Sequence, residues 1–127
     1  MKKIGFIAKN KVLAQSLATL IRNDPDMPFD PYVLLNFSQA VIDAEILGID
    51  VAVIEMIAET PTETGIVPSL CMELRKSNPD CQVFLLVPQD SKESCDTAMA
   101  AVNAKTADDY VFLDTSLDYL LAKLLAL

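Results

Sequence analysis

The stretch DVAVIEM, from Asp50 to Met56, is a short apolar run that ends on one carboxylate, that of Glu55. Its consecutive apolar residues are rich in β-branched side chains and have turn-forming residues on both sides, which is typical of a strand buried on both faces. An ionised carboxylate left unpaired in such a core has a large desolvation cost. The pattern therefore predicts that Glu55 lies where the strand leaves the core. In open parallel α/β sheets, ligands bind at that edge.

Strand-like and helix-like segments alternate along the whole chain. Each short apolar run is followed by a segment whose apolar residues recur at helical spacing. The predicted strands are KIGFIA (3–8), YVLL (32–35), DVAVIEM (50–56), QVFLLV (82–87) and YVFL (110–113). Strict alternation of this kind predicts a parallel sheet with helices on both faces, connected by right-handed crossovers.

Several residues mark where the predicted helices begin and end. Gly48 is expected to follow the second helix, and Pro68 fits the first turn of the third. The proline-rich segment DPDMPFDP (24–31) predicts a rigid loop between the first helix and the second strand. The predicted N-terminal caps are Asn10, Ser38, the capping-box pair Asp90 and Glu93, and Ser116.

Length, composition and charge limit the classes of protein that this chain can represent. Its 127 residues, of which 52% are hydrophobic, predict a single domain, 1–127, with a full core. No apolar run approaches the roughly 18–20 residues that span a bilayer, and the N-terminus lacks the long apolar region of a signal peptide. A net charge of −8 makes nucleic acid an unfavourable partner. We therefore expect a cytoplasmic domain that contacts neither membrane nor nucleic acid.

Missing residue types exclude several kinds of chemistry. The chain has no histidine, which removes histidine acid–base catalysis and most zinc sites. Its three glycines cannot form a glycine-rich phosphate loop or a dinucleotide-binding fingerprint. Cys71, Cys81 and Cys95 form no CxxC motif and are predicted to be free thiols. We expect no cofactor, no metal and no enzymatic activity.

The sequence resembles the receiver domains of two-component response regulators, the CheY-like family. The similarity is best in ADDYVFLDTSLDYLLAKLLAL (107–127), which resembles the family's fifth strand and helix, and it extends to MKKIGFIA (1–8) and GIDVAVIEM (48–56). The resemblance implies a flavodoxin-like (βα)5 fold, doubly wound around a parallel sheet of strand order 2-1-3-4-5 in three α/β/α layers. The loop after the third strand is a few residues longer than in the family.

The resemblance also implies which positions would carry the family's chemistry. Receivers phosphorylate an aspartate at the end of the third strand, with Mg²⁺ held by an acidic pair after the first strand. A Thr or Ser ending the fourth strand and a Lys ending the fifth contact the phosphoryl group, and an aromatic residue in the fifth strand changes rotamer. The matching positions here are Glu55 for the phosphoacceptor, Ala8 and Lys9 for the acidic pair, Val87 for the Thr or Ser, Leu113 for the Lys, and Tyr110 for the aromatic.

These substitutions leave two hypotheses open for Glu55. It is either a permanent negative charge at the phosphoacceptor position or a strand-end carboxylate paired with a nearby cation. The Lys9 ammonium is the candidate cation, because it replaces the metal ligand on the adjacent strand. A two-carboxylate metal site would need Glu59 or Glu63 to fold back from the acidic loop. Tyr110 is either a switch residue or a packed tyrosine with its hydroxyl at the surface.

The sequence therefore predicts a degenerate receiver, or pseudo-receiver. It would act without phosphorylation as a protein-interaction or dimerisation module, as one part of a longer bacterial signalling protein. By the resemblance, the contact surface would be the fourth helix, fifth strand and fifth helix, including Tyr119 and Lys123. Two alternatives remain: a working phosphoacceptor that uses Glu55, and a flavodoxin-like domain that binds a small ligand.

Overall fold

Five β-strands alternate with five α-helices in the residues that the computed structural model describes, which are 1–56, 65–113 and 117–126. The strands are β1 (Lys2–Ile7), β2 (Phe29–Leu34), β3 (Val51–Glu55), β4 (Gln82–Val87) and β5 (Asp109–Phe112). The helices are α1 (Lys11–Asn23), α2 (Ala40–Leu47), α3 (Ile66–Ser77), α4 (Lys92–Asn103) and α5 (Leu117–Leu125).

The strands form one parallel sheet in the order β2-β1-β3-β4-β5. The central strand β3 pairs with β1, where Ile4 lies opposite Val51, and with β4, where Val51 lies opposite Gln82. This arrangement confirms the predicted flavodoxin-like, doubly wound fold and its strand order. All five strands end at the same edge of the sheet, so the residues that follow them can meet there.

Two hydrophobic layers cover the two faces of the sheet. Ala52 and Ile54 pack with residues of α2, α3 and α4, whereas Val51 and Val53 pack with residues of α1 and α5. All four side chains of this run are at most 1% exposed. The prediction that the DVAVIEM stretch forms a strand buried on both faces is therefore confirmed, and the molecule has three α/β/α layers.

The second strand begins three residues earlier than predicted. β2 starts at Phe29 and includes Pro31, which we had placed in a rigid loop. Proline is tolerated here because β2 is an edge strand, where an amide on the open side needs no partner in the sheet. The fifth strand ends at Phe112, so Leu113 follows the strand instead of closing it.

Three of the predicted helix-end residues are confirmed. The Asn10 side chain accepts a hydrogen bond from the backbone N–H of Leu13 at 3.0 Å and caps α1. Gly48 follows α2 with φ of 71°, the left-handed region that favours glycine. Pro68 lies in the first turn of α3.

Two predicted N-terminal caps are wrong, and in each case the cap is the next residue along the chain. α2 begins after Gln39, and the Ser38 hydroxyl donates to the side chain of Asn36 instead. α4 begins after Ser91, whose hydroxyl accepts from the backbone N–H of Ser94, so Asp90 is not the cap. In both places neighbouring polar residues could serve, and the local backbone conformation decides between them. The predicted cap Ser116 lies outside the described residues.

No helix in the described part of the chain is long and apolar enough to cross a membrane.

Substitution of two adjacent leucines of α5 tests whether this helix packs against the sheet as described. Leu124 is fully buried and Leu125 is 51% exposed. We expect Leu124→Ala to lower the free energy of unfolding by about 2–5 kcal/mol, because it leaves a cavity in a packed layer. The matched control Leu125→Ala should change it by less than about 0.5 kcal/mol. Urea unfolding of both variants gives the two values, and equal losses would show that α5 does not pack as described.

Candidate functional site

Glu55 is the last residue of β3, at the edge of the sheet where the strands end. It lies opposite Leu86 of β4 and is partly buried, whereas the residues before it are fully buried. This is the position expected for a carboxylate that cannot enter the core.

The Glu55 carboxylate accepts two hydrogen bonds from the backbone that joins β1 to α1. The N–H groups of Lys9 and Asn10 donate to the same oxygen, Oε1, at 3.0 and 3.1 Å. Asn10 is the N-cap of α1, so the negative charge lies at the positive end of the helix dipole. Hydrogen bonds from amides to an ionised acceptor are stronger than neutral ones. Glu55 therefore ties the end of β3 to the start of α1.

The expected ion pair between the Lys9 ammonium and Glu55 is not the contact that forms. Lys9 meets Glu55 through its backbone N–H, and the ion pairs between described residues join Arg75 to Asp108 and Lys123 to Asp109. Side-chain alternation explains the difference. Ala8 packs into the α1–α5 layer, and the next side chain, Lys9, lines a cleft with residues of α3.

Ala8 and Lys9, which the resemblance matches to the acidic pair of receivers, carry no carboxylate. Ala8 is 4% exposed and packs in the core, and its N–H donates to the carbonyl of Leu34 at 3.2 Å. Within the described ranges, no three His, Cys, Asp or Glu side chains come together as a possible metal-binding group. Glu59 and Glu63 lie outside those ranges, so the two-carboxylate hypothesis stays a prediction.

Val87 and Leu113 are the residues that the resemblance matches to the Thr or Ser and to the Lys of receivers, and both are apolar. Val87 is fully buried at the end of β4 and packs toward α2, α3 and α4. Leu113 is partly buried and packs in the opposite layer, with α1 and α5. The Leu113 N–H donates to the Val87 carbonyl at 2.8 Å, so the structure brings these two positions together. Neither side chain can donate a hydrogen bond or supply a positive charge.

Tyr110 lies in β5 and is partly buried. Its ring meets that of Phe112 edge-to-face, with centroids 6.0 Å apart and an interplanar angle of 84°. Both rings pack against the α2–α3–α4 layer. These contacts favour the interpretation of Tyr110 as a packed residue.

Sequence reasoning missed the cleft beside Lys9. Its volume is about 810 Å³, and it lies between the end of β2 and the start of α3. Its polar lining comes from Lys9, Asn36, Ser38, Ser69 and Glu73, and its apolar lining includes Leu35, Phe37, Ile66 and Leu70. The sequence held one indication of this cleft. Lys9 follows β1 and residues 35–38 follow β2, and the ends of neighbouring parallel strands meet at the same edge of the sheet.

All three cysteines are free thiols, as predicted. Burial raises the pKa of Cys71 and of Cys81 to about 11. Because the thiolate is the reactive form, both are unreactive near neutral pH. Cys95 is only partly buried.

Several solved structures with a similar fold come from response regulators. The receiver domain of a Francisella response regulator is 25% identical, with a TM-score of 0.75, and the match covers 99% of this chain and 95% of that one. The chain has the fold of a response regulator receiver domain. A CheY-like receiver protein from Methanospirillum hungatei matches at TM-score 0.77 and 16% identity, over 99% of this chain and 92% of that one.

The receiver fold also matches a structure described as an adenylate cyclase from Rhodopirellula baltica. Its TM-score is 0.80 at 16% identity, over 98% of this chain and 85% of that one. At that identity the likeness shows the fold alone. No protein-family model matches the sequence, and no curated protein matches it at a significant level.

A double-mutant cycle tests how Glu55 is held in this receiver fold. We expect Glu55→Ala to lower the free energy of unfolding by about 1.5–3 kcal/mol, the usual value for hydrogen bonds to a charged group. Lys9→Met keeps the backbone N–H that Glu55 accepts. The coupling energy between the two substitutions should therefore stay below about 0.5 kcal/mol. A larger coupling energy, measured by urea unfolding, would show that the Lys9 ammonium does pair with the Glu55 carboxylate.

Thiol labelling tests the burial of the cysteines. At about pH 8 an aromatic disulfide reagent should react quickly with Cys95 only, because the raised pKa values keep Cys71 and Cys81 protonated. All three thiols should react in denaturant. The control Cys95→Ser should leave the native protein without a fast-reacting thiol. Fast labelling of a second cysteine in the native state would contradict the described packing.

Proposed function

We propose that this chain is a degenerate receiver domain that acts without phosphorylation, as a protein-interaction or dimerisation module. It would belong to a two-component-type signalling protein of the bacterial cytoplasm and would have no enzymatic activity of its own. The observation that supports this most is the pair of hydrogen bonds from the Lys9 and Asn10 amides to the Glu55 carboxylate.

The first argument concerns the nucleophile. A carboxylate that attacks a phosphodonor must present an oxygen to the incoming phosphorus, and a cation must neutralise the charge that builds up there. Oε1 of Glu55 is already engaged by two amides. Mg²⁺ prefers anionic oxygen ligands, and the positions after β1 supply a methyl group and an ammonium instead. The site resists phosphorylation for both reasons.

The second argument concerns the response to phosphorylation. A modification shifts a conformational equilibrium only if it interacts differently with the two states. The side chains of Val87 and Leu113 pack into opposite core layers and cannot hydrogen-bond a phosphoryl oxygen. Among the described residues, Val87 and Leu113 therefore offer no group that would convert a charge at Glu55 into a change of shape. Under this proposal, the output of the domain is set by what it binds.

The proposed contact surface is formed by α4, β5 and α5. Met99 and Tyr119 are 48% and 50% exposed on it. The Lys123 ammonium lies 2.7 Å from Asp109 and 5.9 Å from the centroid of the Tyr119 ring, so it joins α5 to β5. Tyrosine and methionine are enriched in protein-binding surfaces, which supports this assignment.

A phosphodonor experiment separates the degenerate receiver from a working phosphoacceptor. The protein is incubated with acetyl phosphate and Mg²⁺ and its intact mass is measured at once, with an active receiver treated in parallel as the positive control. We expect no gain of mass. A gain of one phosphoryl group that disappears in Glu55→Gln would overturn the proposal.

The cleft beside Lys9 supports a second candidate function, the binding of a small ligand. Its volume of about 810 Å³ lies within the usual range of ligand sites, and its lining combines apolar, hydroxyl and charged groups. Native mass spectrometry of the purified protein tests this function. A bound molecule that is lost in Ser69→Leu would favour it, and a ligand-free protein would count against it.

A further inference from the structure

Helix α2 is unusually apolar for a helix at a protein surface. Its sequence is AVIDAEIL, and Asp43 and Glu45 are its only charged residues. A surface helix normally buries one apolar stripe and turns a polar face to water. A helix that is apolar on all sides is expected to be covered on all sides.

The packing of α2 covers only one of its faces. Ala40 and Ala44 are fully buried against the sheet, whereas Ile42 is 52% and Ile46 is 77% exposed. Ile42 and Ile46 are four residues apart, so they lie one above the other on the outward face. We call this pair the α2 stripe. It places two large β-branched side chains in water one helical turn apart.

Both charged residues of α2 are acidic. Asp43 and Glu45 are the neighbours of the two isoleucines in the sequence, and the helix contains no lysine or arginine. The nearby ammonium of Lys3 donates to the carbonyl of Leu47 at 2.8 Å, at the end of the helix, and lies 5.9 Å from the ring of Tyr32. The Lys3 ammonium is therefore held at the C-terminal end of α2.

The acidic residues of α2 argue against a second copy of the chain as the partner that covers the α2 stripe. Two α2 stripes packed together would bring the carboxylates of both copies close to each other. Each chain already carries a net charge of −8. Like charges placed across an interface oppose association. A partner that places Lys or Arg side chains opposite Asp43 and Glu45 would instead favour association.

We propose that the α2 stripe binds a basic amphipathic helix of a partner protein. Apolar side chains of that helix would pack between Ile42 and Ile46 in ridges-into-grooves fashion. Its Lys or Arg side chains would reach the carboxylates of Asp43 and Glu45. α2 has eight residues, which limits the contact area, so the complex belongs to the weak and transient class. The proposal rests on the role of the domain as an interaction module and not on the state of Glu55.

Two synthetic helical peptides of equal length test the proposal. One carries leucine on one face and lysine on the other, and the second replaces every lysine by glutamate. Amide NMR spectra of the full chain are recorded during titration with each peptide. We expect the lysine peptide to shift the amides of α2, with an affinity that falls as salt is raised. The glutamate peptide should leave them unchanged.

Three variants make the peptide test specific. Ile46→Ser should weaken binding of the lysine peptide about tenfold, because it removes the more exposed apolar contact. Val12→Ser, which changes a 74% exposed β-branched residue of α1, is the matched control and should have no effect. Glu45→Lys should weaken the binding of the lysine peptide and allow the glutamate peptide to bind. Because these side chains are exposed, the spectra of the free variants should show an unchanged fold.

Several outcomes would overturn the proposal. They are the absence of binding, shifts that fall outside α2, and equal weakening by Ile46→Ser and Val12→Ser. Concentration-dependent shifts of α2 without peptide would show that a second copy is the occupant instead. None of these results bears on the phosphodonor experiment, so the failure of this proposal and the failure of the proposed function can be told apart.

Discussion

The third strand is covered on both faces, by α1 and α5 on one side and by α2, α3 and α4 on the other. A charged side chain can lie only at the ends of such a strand, because its burial without partners is costly. Glu55 therefore lies at the edge where all five strands end. The backbone amides of Lys9 and of the N-cap Asn10, just before the first turn of α1, lie within hydrogen-bonding distance of it. The bonds to Lys9 and Asn10 follow from these two facts.

The fold was predictable from the sequence because each strand is short, apolar and followed by a helix-like segment. The resemblance to receivers added the strand order. Errors fell where local chemistry was ambiguous: Pro31 resembles a loop residue but lies in an edge strand, and Ser38 and Asp90 are each next to the residue after which the helix begins. Burial and sheet position decide such cases, and neither can be read from a few adjacent residues.

The site was predictable in position but not in its bonding. The place of Glu55 follows from the apolar run before it. Its partner could not be predicted, because Lys9 offers both an ammonium and a backbone N–H. The alternation of side chains after β1 decides between them, since Ala8 turns to the α1–α5 layer and Lys9 turns to the cleft beside α3. Val87 ends β4 as expected, whereas Leu113 lies one residue after β5. Their packing into opposite layers depends on the direction of each side chain.

The chemistry of the sheet edge and the composition of the helices support the same proposal. In the part of the chain that the structure describes, no cluster of possible metal ligands forms at the edge, and Val87 and Leu113 cannot hydrogen-bond a phosphoryl oxygen. Both facts favour a domain that stays in one state. The outer surface of α2 exposes Ile42 and Ile46, which favours a domain that binds another protein. A module of this kind would serve as a fixed docking platform within a larger signalling protein.

The most direct measurement follows the backbone amide resonances of Lys9 and Asn10, which donate to Glu55, while Mg²⁺ and beryllofluoride, an analogue of the phosphoryl group, are added to the protein. The account predicts that both resonances stay unchanged, because the carboxylate is already satisfied and no acidic pair follows β1. Saturable shifts of Lys9, Asn10 and Leu113 together would contradict it, because they would show that the site binds the analogue as a working receiver does.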